Sequence, residues 1–252
     1  MFPAFAHVAG YPLVFPLFYG ALAGFALVMA RHLRVFALAR PSRPFAGVPR
    51  RIGGLVEYAF AQRKMFKDGR AALMHAGIFW GFVLLTIGTA NIVTGGLIQS
   101  VVSFPWDGAL WTAVTVMQNV VAVVVLGAIA WAYERRLVSR PARLTYTRDA
   151  LVILAMIGGV VATELLAQAA ESARFGDIPG AFVADAIGGP FRSVDPRLLE
   201  VIFLGLWWAH IALVAAFLVY LPFSKHLHIV TSFPNIYFRK LAPRGELPAM
   251  DL

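Results

Sequence analysis

Three histidines in apolar surroundings are the residues of this chain best suited to chemistry. His210 and His228 lie eighteen residues apart near the end of one apolar segment, and His75 follows a basic run at the start of another. Eighteen residues make about five helical turns, so one continuous helix would present His210 and His228 from one face. His226 is about 200° around such a helix from His228 and is expected to leave that face. Histidines from facing membrane helices commonly hold b-type haem.

The spacing favours one bis-histidine site over two. If the last apolar helix continues past its proline, His228 lies at the same depth as His75, on a helix that runs in the opposite direction. His210 would then be about 27 Å away along the helix. The second helix has Leu85 at that depth, and leucine cannot ligate iron. We therefore expect His75 and His228 to hold one haem b; the alternative is a pair of interfacial histidines bonded to lipid headgroups or backbone carbonyls.

Polar side chains inside apolar segments are costly in a membrane and are candidate functional residues. His210 has three open interpretations: ligand of a second haem with an unusual partner, part of a quinone pocket, or a hydrogen-bonding group between helices. Glu164 is expected toward the outer leaflet, in a polar cluster with Asn91, Gln118 and Asn119. Such a carboxylate can exchange protons with a quinone. The alternative is a set of polar groups satisfied between helices.

The composition indicates an integral membrane protein. Hydrophobic residues make up 60% of the 252, charged residues only 14%, and the mean hydropathy is +0.73, whereas soluble domains carry about 25% charged residues. Five apolar stretches each reach the roughly 20 residues that a bilayer requires, near 12–34, 73–96, 109–132, 148–169 and 199–222. The predicted fold is an all-α integral membrane bundle of five transmembrane helices, forming a single domain over 1–252.

The charge distribution predicts the orientation. Ten Lys and Arg residues fall in 31–70, five in 135–148 and four from residue 225 onward, so 19 of 22 lie on one side of the five spans. The positive-inside tendency places the N-terminus outside and the C-terminus in the cytoplasm. The net charge of +9 is therefore explained by the orientation of the chain in the membrane rather than by nucleic-acid binding. The chain has no cysteine, so iron–sulfur ligation must lie on a partner or beyond residue 252.

The connecting segments carry weaker signals. The basic stretch 35–70 suits topology and lipid charge better than a dedicated docking surface, and its part from Leu55 to Arg70 is predicted to be an interfacial helix. The longer outer segment 170–198, rich in Gly and Pro, either folds over the outer mouth of the bundle or is a plain connector.

Two strings carry a family resemblance. Residues 210–241 read HIALVAAFLVYLPFSKHLHIVTSFPNIYFRKL, and this segment resembles the respiratory nitrate reductase gamma subunit and related membrane cytochromes b. Residues 64–89 read KMFKDGRAALMHAGIFWGFVLLTIGT, which looks like the N-terminal membrane portion of heterodisulfide-reductase-related iron–sulfur oxidoreductases. The residues that match the gamma-subunit pattern are His210, Pro222, Phe223, Ser224, Lys225 and His228.

The resemblance implies a cytoplasmic-side haem ligated by His75 and His228. The gamma subunit's other haem would pair His210 with a histidine where this chain has Leu85, so a second haem is not expected. The tail 240–252 resembles the linker to a cytoplasmic iron–sulfur domain. That group includes proteins that pass electrons between electron-transfer flavoprotein and membrane quinone, so the resemblance implies these partners and a location in the bacterial inner membrane.

Together these observations predict a multi-pass, quinone-linked oxidoreductase subunit or domain. It would relay electrons between a cytoplasmic iron–sulfur or flavoprotein partner, in the same polypeptide or a separate one, and the quinone pool. The rival hypothesis is a cofactor-free membrane anchor that docks a soluble redox enzyme.

Overall fold

A computed structural model describes residues 8–34, 45–67, 69–98, 108–142 and 144–241, without the side chains of residues 11 and 91–98. These ranges contain helices and no strand. The predicted linker 240–252 lies outside them from residue 242 onward. The α-helices are α1 (Val14–Leu33), α2 (Val48–Leu55), α3 (Gly69–Ile98), α4 (Gly108–Glu134), α5 (Arg148–Phe175), α6 (Phe182–Gly188), α7 (Pro196–Tyr220) and α8 (His228–Tyr237).

Five of these helices, α1, α3, α4, α5 and α7, are long and apolar enough to cross a membrane. The described ranges thus confirm the predicted five spans, with ends that shift by a few residues; α5 continues to Phe175 rather than stopping at 169. The interfacial helix predicted over 55–70 is wrong in its bounds. Helix α2 begins at Val48, with Pro49 in its first turn where a missing N–H costs nothing, and a π turn, Val56–Phe60, follows it.

Helix α5 occupies the middle of the bundle. It packs most extensively against α7 and also contacts α4, whereas α1 packs on the far side of α7 and α3 on the far side of α4. Buried Val125 and Ile129 of α4 meet Leu154 and Val161 of α5 in one apolar cluster. Because α3 rests mainly on α4, the described parts of α3 and α7 stand apart. This gap holds the cavity described below.

Two glycines allow α3 to approach α4 closely. A Cβ atom on Gly81 would lie 2.0 Å from Val125 Cγ2, and one on Gly88 would lie 2.6 Å from Gln118 Nε2. Small residues at such crossings let the backbones of membrane helices meet.

The segment after α5 folds onto the bundle, as one of the two interpretations of 170–198 predicts. Ala181 and Ala184 are fully buried against the main helices. Asp185 accepts a hydrogen bond of 2.6 Å from the Ser172 hydroxyl. Asn119 of α4 accepts one of 3.1 Å from the backbone N–H of Ala184. Helix α6 therefore closes this end of the bundle.

At the other end, here called the basic end, α1, α4 and α7 finish and α3 and α5 begin. Helix α7 stops at Tyr220, and two 3₁₀ turns, Leu221–Phe223 and Lys225–Leu227, precede α8. The continuous helix from His210 to His228 is therefore a wrong prediction. Pro222 lacks the N–H that an α-helix needs and its ring crowds the preceding turn. Ser224 then adopts an extended backbone (φ −107°, ψ 172°).

Candidate functional site

Three imidazoles gather at the basic end. His75 projects from the second turn of α3, His226 from the second 3₁₀ turn, and His228 from the first residue of α8. The ring centres of His75 and His228 are 6.3 Å apart, and those of His226 and His228 are 5.5 Å apart. The structure therefore brings together the two histidines that the sequence pairs, and adds a third that helical spacing had excluded.

The separation of His75 and His228 fits two ligands on one metal. Bonds of about 2 Å to the metal, with each ring centre about 1.1 Å behind its nitrogen, give about 6 Å between centres. The Nδ1 atom of His75 is buried without a hydrogen-bond partner, and such an atom gains from a new ligand or bond. Over the described ranges no three His, Asp or Glu side chains form a ligand set for a bare metal ion. A haem needs only two protein ligands, so the chemistry and spacing of His75 and His228 would suit one.

A chain of hydrogen bonds fixes the ring of His228. Its Nδ1 lies 2.6 Å from the carbonyl oxygen of Lys225; because that oxygen can only accept, Nδ1 carries the proton and Nε2 is left with a lone pair. The backbone N–H of Lys225 donates to Asp149 Oδ2 at 3.2 Å, and the Tyr220 hydroxyl donates to Asp149 Oδ1 at 2.7 Å. Asp149 therefore anchors the residue that orients His228, an arrangement typical of metal-ligating histidines.

His226 differs from His228 in its surroundings. Burial, together with the nearby His228, lowers the pKa of His226 to about 4, so its ring is neutral near pH 7. Its Nδ1 is buried without a hydrogen-bond partner. Since His228 has the orienting bond and His226 lacks one, the geometry favours His228 as the partner of His75. The rotation argument against His226 was unsound because residues 221–227 are not α-helical.

A cavity of about 240 Å³ extends between α3 and α7. Its walls are almost entirely apolar, with side chains from α1, α3, α4, α5 and α7. Glu164 and His210 are the ionisable groups among its lining residues. An apolar cavity with a few convergent polar groups is the usual form of a small-molecule site.

Within the cavity a hydrogen bond fixes the ring of His210, whereas no described residue fixes the Glu164 carboxylate in this way. His210 Nδ1 lies 2.9 Å from the carbonyl oxygen of Val160 on α5, so Nδ1 donates and Nε2 keeps a lone pair. One of the three interpretations of His210, a hydrogen bond between helices, is thus observed, and it is compatible with a pocket role. The described residues provide no hydrogen-bond partner for the Glu164 carboxylate.

The predicted polar cluster around Glu164 divides into separate groups. Asn119 bonds to Gln168 at 3.2 Å and to α6, a structural role. Gln118 lies in the α3–α4 contact, where its Nε2 is buried without a partner, and it does not line the cavity. The side chain of Asn91 lies outside the described part of the chain. Leu85 lines the cavity together with His210, so the position facing His210 offers no ligand for a second haem.

Aromatic rings connect the cavity to the histidine cluster. Phe82 of α3 and Phe217 of α7 line the cavity, with ring centres 6.4 Å apart. The same Phe217 ring lies 6.4 Å from the ring of His226. The cavity and the histidines are therefore neighbours, separated by one layer of side chains.

Comparison with known proteins finds two curated relatives. The chain is 30% identical over 195 residues to "Probable iron-sulfur-binding oxidoreductase FadF" of Bacillus subtilis (strain 168), which aligns 76% of this chain with 27% of that protein. It is 29% identical over 218 residues to "EtfAB:quinone oxidoreductase" of Syntrophomonas wolfei subsp. wolfei (strain DSM 2245B / Goettingen), which aligns 78% of this chain with 29% of that protein.

The chain thus spans less than a third of the length of these relatives. No protein-family model matches the chain, and no solved structure matches it. The names of both relatives describe oxidoreductases, one linked to iron–sulfur binding and the other to quinone.

Proposed function

We propose that this chain is the membrane electron-transfer module of a quinone-linked oxidoreductase. Haem b would be held by His75 and His228, and a quinone would bind in the α3–α7 cavity. The observation that carries the proposal is the 6.3 Å spacing of the two rings beside that cavity. The iron–sulfur and quinone terms in the names of the two relatives support it.

The partner would be an iron–sulfur domain or subunit at the basic end, in the same polypeptide or separate, and electron-transfer flavoprotein would exchange electrons with it. The relatives' names support both partners. We place the protein in the bacterial cell membrane, with the basic end in the cytoplasm. The surplus of Lys and Arg at that end supports this orientation.

Each residue of the site has a distinct task in this proposal. His75 and His228 would hold the haem through ring nitrogens, and Lys225 with Asp149 would keep Nε2 of His228 free to ligate. Phe82 and Phe217 exclude water between the histidines and the cavity. A bound haem supplies one-electron transfer.

The two ionisable groups of the cavity would serve the quinone. His210 Nε2, with its lone pair, accepts a hydrogen bond from a quinol hydroxyl. Glu164, which has no hydrogen-bond partner among the described residues, accepts or returns a proton at its carboxylate.

A reduced-minus-oxidised absorption spectrum of the purified full chain, expressed in haem-replete cells, tests the haem proposal. The wild type is expected to show a b-type α band, and His75→Ala and His228→Ala are each expected to abolish it because a bis-histidine site loses an axial ligand. His226→Ala is expected to retain the band.

The matched control is His32→Ala, since His32 is exposed at the end of α1 and should leave the band unchanged. A wild-type spectrum without the band would refute the haem proposal and favour the cofactor-free anchor. A band that survives His228→Ala but is lost in His226→Ala would transfer the ligand role to His226.

A further inference from the structure

A second cavity, of about 280 Å³, lies at the basic end between the π turn that ends α4, Arg135–Ser139, and the start of α5. Three arginines line it, Arg136, Arg140 and Arg148. The proposed electron transfer uses none of them.

The described residues provide no acidic partner for the three guanidinium groups. Within the described ranges no ion pair involves any of them. The two carboxylates next to them in sequence are engaged elsewhere: Glu134 accepts a hydrogen bond from Ser139, and Asp149 bonds to Tyr220 and Lys225. Positive charges that share one cavity repel each other, so the site favours an anion.

Two donors in the cavity wall lack an acceptor. The Nε atom of Arg136 and the hydroxyl oxygen of Thr147 are buried without hydrogen-bond partners among the described residues. Another N–H group of Arg136 donates a hydrogen bond of 3.2 Å to the carbonyl oxygen of Ala132. This bond holds the guanidinium in place. Phosphate oxygens accept several charge-assisted hydrogen bonds at once and pair in bidentate fashion with Arg.

The surroundings identify the source of the phosphate. Leu137 and Val138, beside the cavity, are 60% and 75% exposed, and Val152 on α5 is 45% exposed. These side chains belong to the ends of two membrane-length helices, where hydrocarbon gives way to headgroups. We propose that this cavity binds the phosphate of an anionic phospholipid, whose acyl chains lie along the exposed aliphatic side chains.

Native mass spectrometry of the delipidated full chain tests this proposal with three probes: phosphatidylglycerol, phosphatidylcholine and inorganic phosphate. We expect retention of phosphatidylglycerol over phosphatidylcholine, because the choline ammonium would meet the arginines. Arg136→Gln, Arg140→Gln and Arg148→Gln should each weaken phosphatidylglycerol binding about tenfold, the effect of losing a hydrogen bond to a charged group. Thr147→Val keeps all charges and should weaken it less.

The matched control is Arg50→Gln, because Arg50 is an exposed arginine of the basic end outside the cavity. Equal losses in Arg50→Gln and the cavity variants would mean general charge attraction and would overturn the site. Binding of inorganic phosphate as tight as that of phosphatidylglycerol would overturn the lipid as ligand in favour of a free anion, because the acyl chains would then contribute nothing. The outcome is independent of haem, which the absorption spectrum measures separately.

Discussion

At His228 a single hydrogen bond decides which ring nitrogen is free. The carbonyl oxygen of Lys225 accepts a hydrogen bond from the Nδ1–H group, and that leaves the lone pair of Nε2 for a ligand. His210 is arranged in the same way by the carbonyl oxygen of Val160. In both cases a backbone carbonyl sets the tautomer, but only His228 has a second imidazole within reach. The two histidines that share a pattern in the sequence therefore have different chemistry.

The cavity residues provide a prediction at this scale. Glu164→Gln and His210→Leu should each weaken binding of a quinone analogue about tenfold, since each removes a polar contact worth about 1.4 kcal/mol. The measurement is the dissociation constant of the analogue from the purified protein, read from its perturbation of the haem spectrum.

The control for that experiment is Gln118→Leu. Gln118 is buried in the α3–α4 contact and does not line the cavity, so its removal should leave analogue binding unchanged. Equal weakening in Gln118→Leu would mean that the cavity responds to general repacking. Unchanged binding in both Glu164→Gln and His210→Leu would exclude the cavity as the quinone site.

Among the elements, the pair of 3₁₀ turns after α7 matters most. These turns replace the last two turns of a long helix and bring both His226 and His228 toward α3. The Asp149 carboxylate, at the start of α5, accepts hydrogen bonds from the Tyr220 hydroxyl and the Lys225 backbone N–H and so holds these turns in place. The position of His228, the proposed ligand, therefore depends on the packing of α5 against α7.

Asp149→Asn should reduce haem affinity about tenfold, the usual cost of altering a group that orients a metal ligand. It should also change the g-values of the ferric haem in electron paramagnetic resonance, because the His228 ring is free to turn. Tyr220→Phe removes one of the two bonds to Asp149 and keeps the Lys225 contact, so its g-values should stay close to wild type. Unaltered g-values and affinity in Asp149→Asn would show that the carboxylate does not position His228.

For the whole molecule, orientation is the property that the proposals depend on. The chain has no cysteine, so one introduced cysteine reports its side of the membrane without background. Ser139 and Ser193 are both exposed, the first at the basic end and the second beyond α6. A membrane-impermeant maleimide should label Ser193→Cys in intact spheroplasts and Ser139→Cys only after lysis, because Lys- and Arg-rich segments stay inside. The reverse labelling would invert the proposed topology.

The sequence predicts the bundle well because each membrane-length helix can be recognised from its length and its apolar composition. It also pairs His75 with His228, although it assumes a helix that ends eight residues earlier, at Tyr220. Pro222 was the available signal for that ending. No sequence pattern indicates the contact of Asp149 with Lys225, because the two residues are 76 positions apart in the chain. The cavity is equally hidden, because a gap between helices results from packing and not from any one segment.

The bond between Asp149 and Lys225 also bears on biogenesis. During synthesis Asp149 is made well before His228. The segment that carries Lys225 and His228 can bond to Asp149 only once α5 and α7 have packed together. A chain whose last span is misplaced would lack that anchor and, under the proposed function, would hold haem poorly. Cofactor retention would then act as a quality check that distinguishes correctly inserted molecules from misassembled ones.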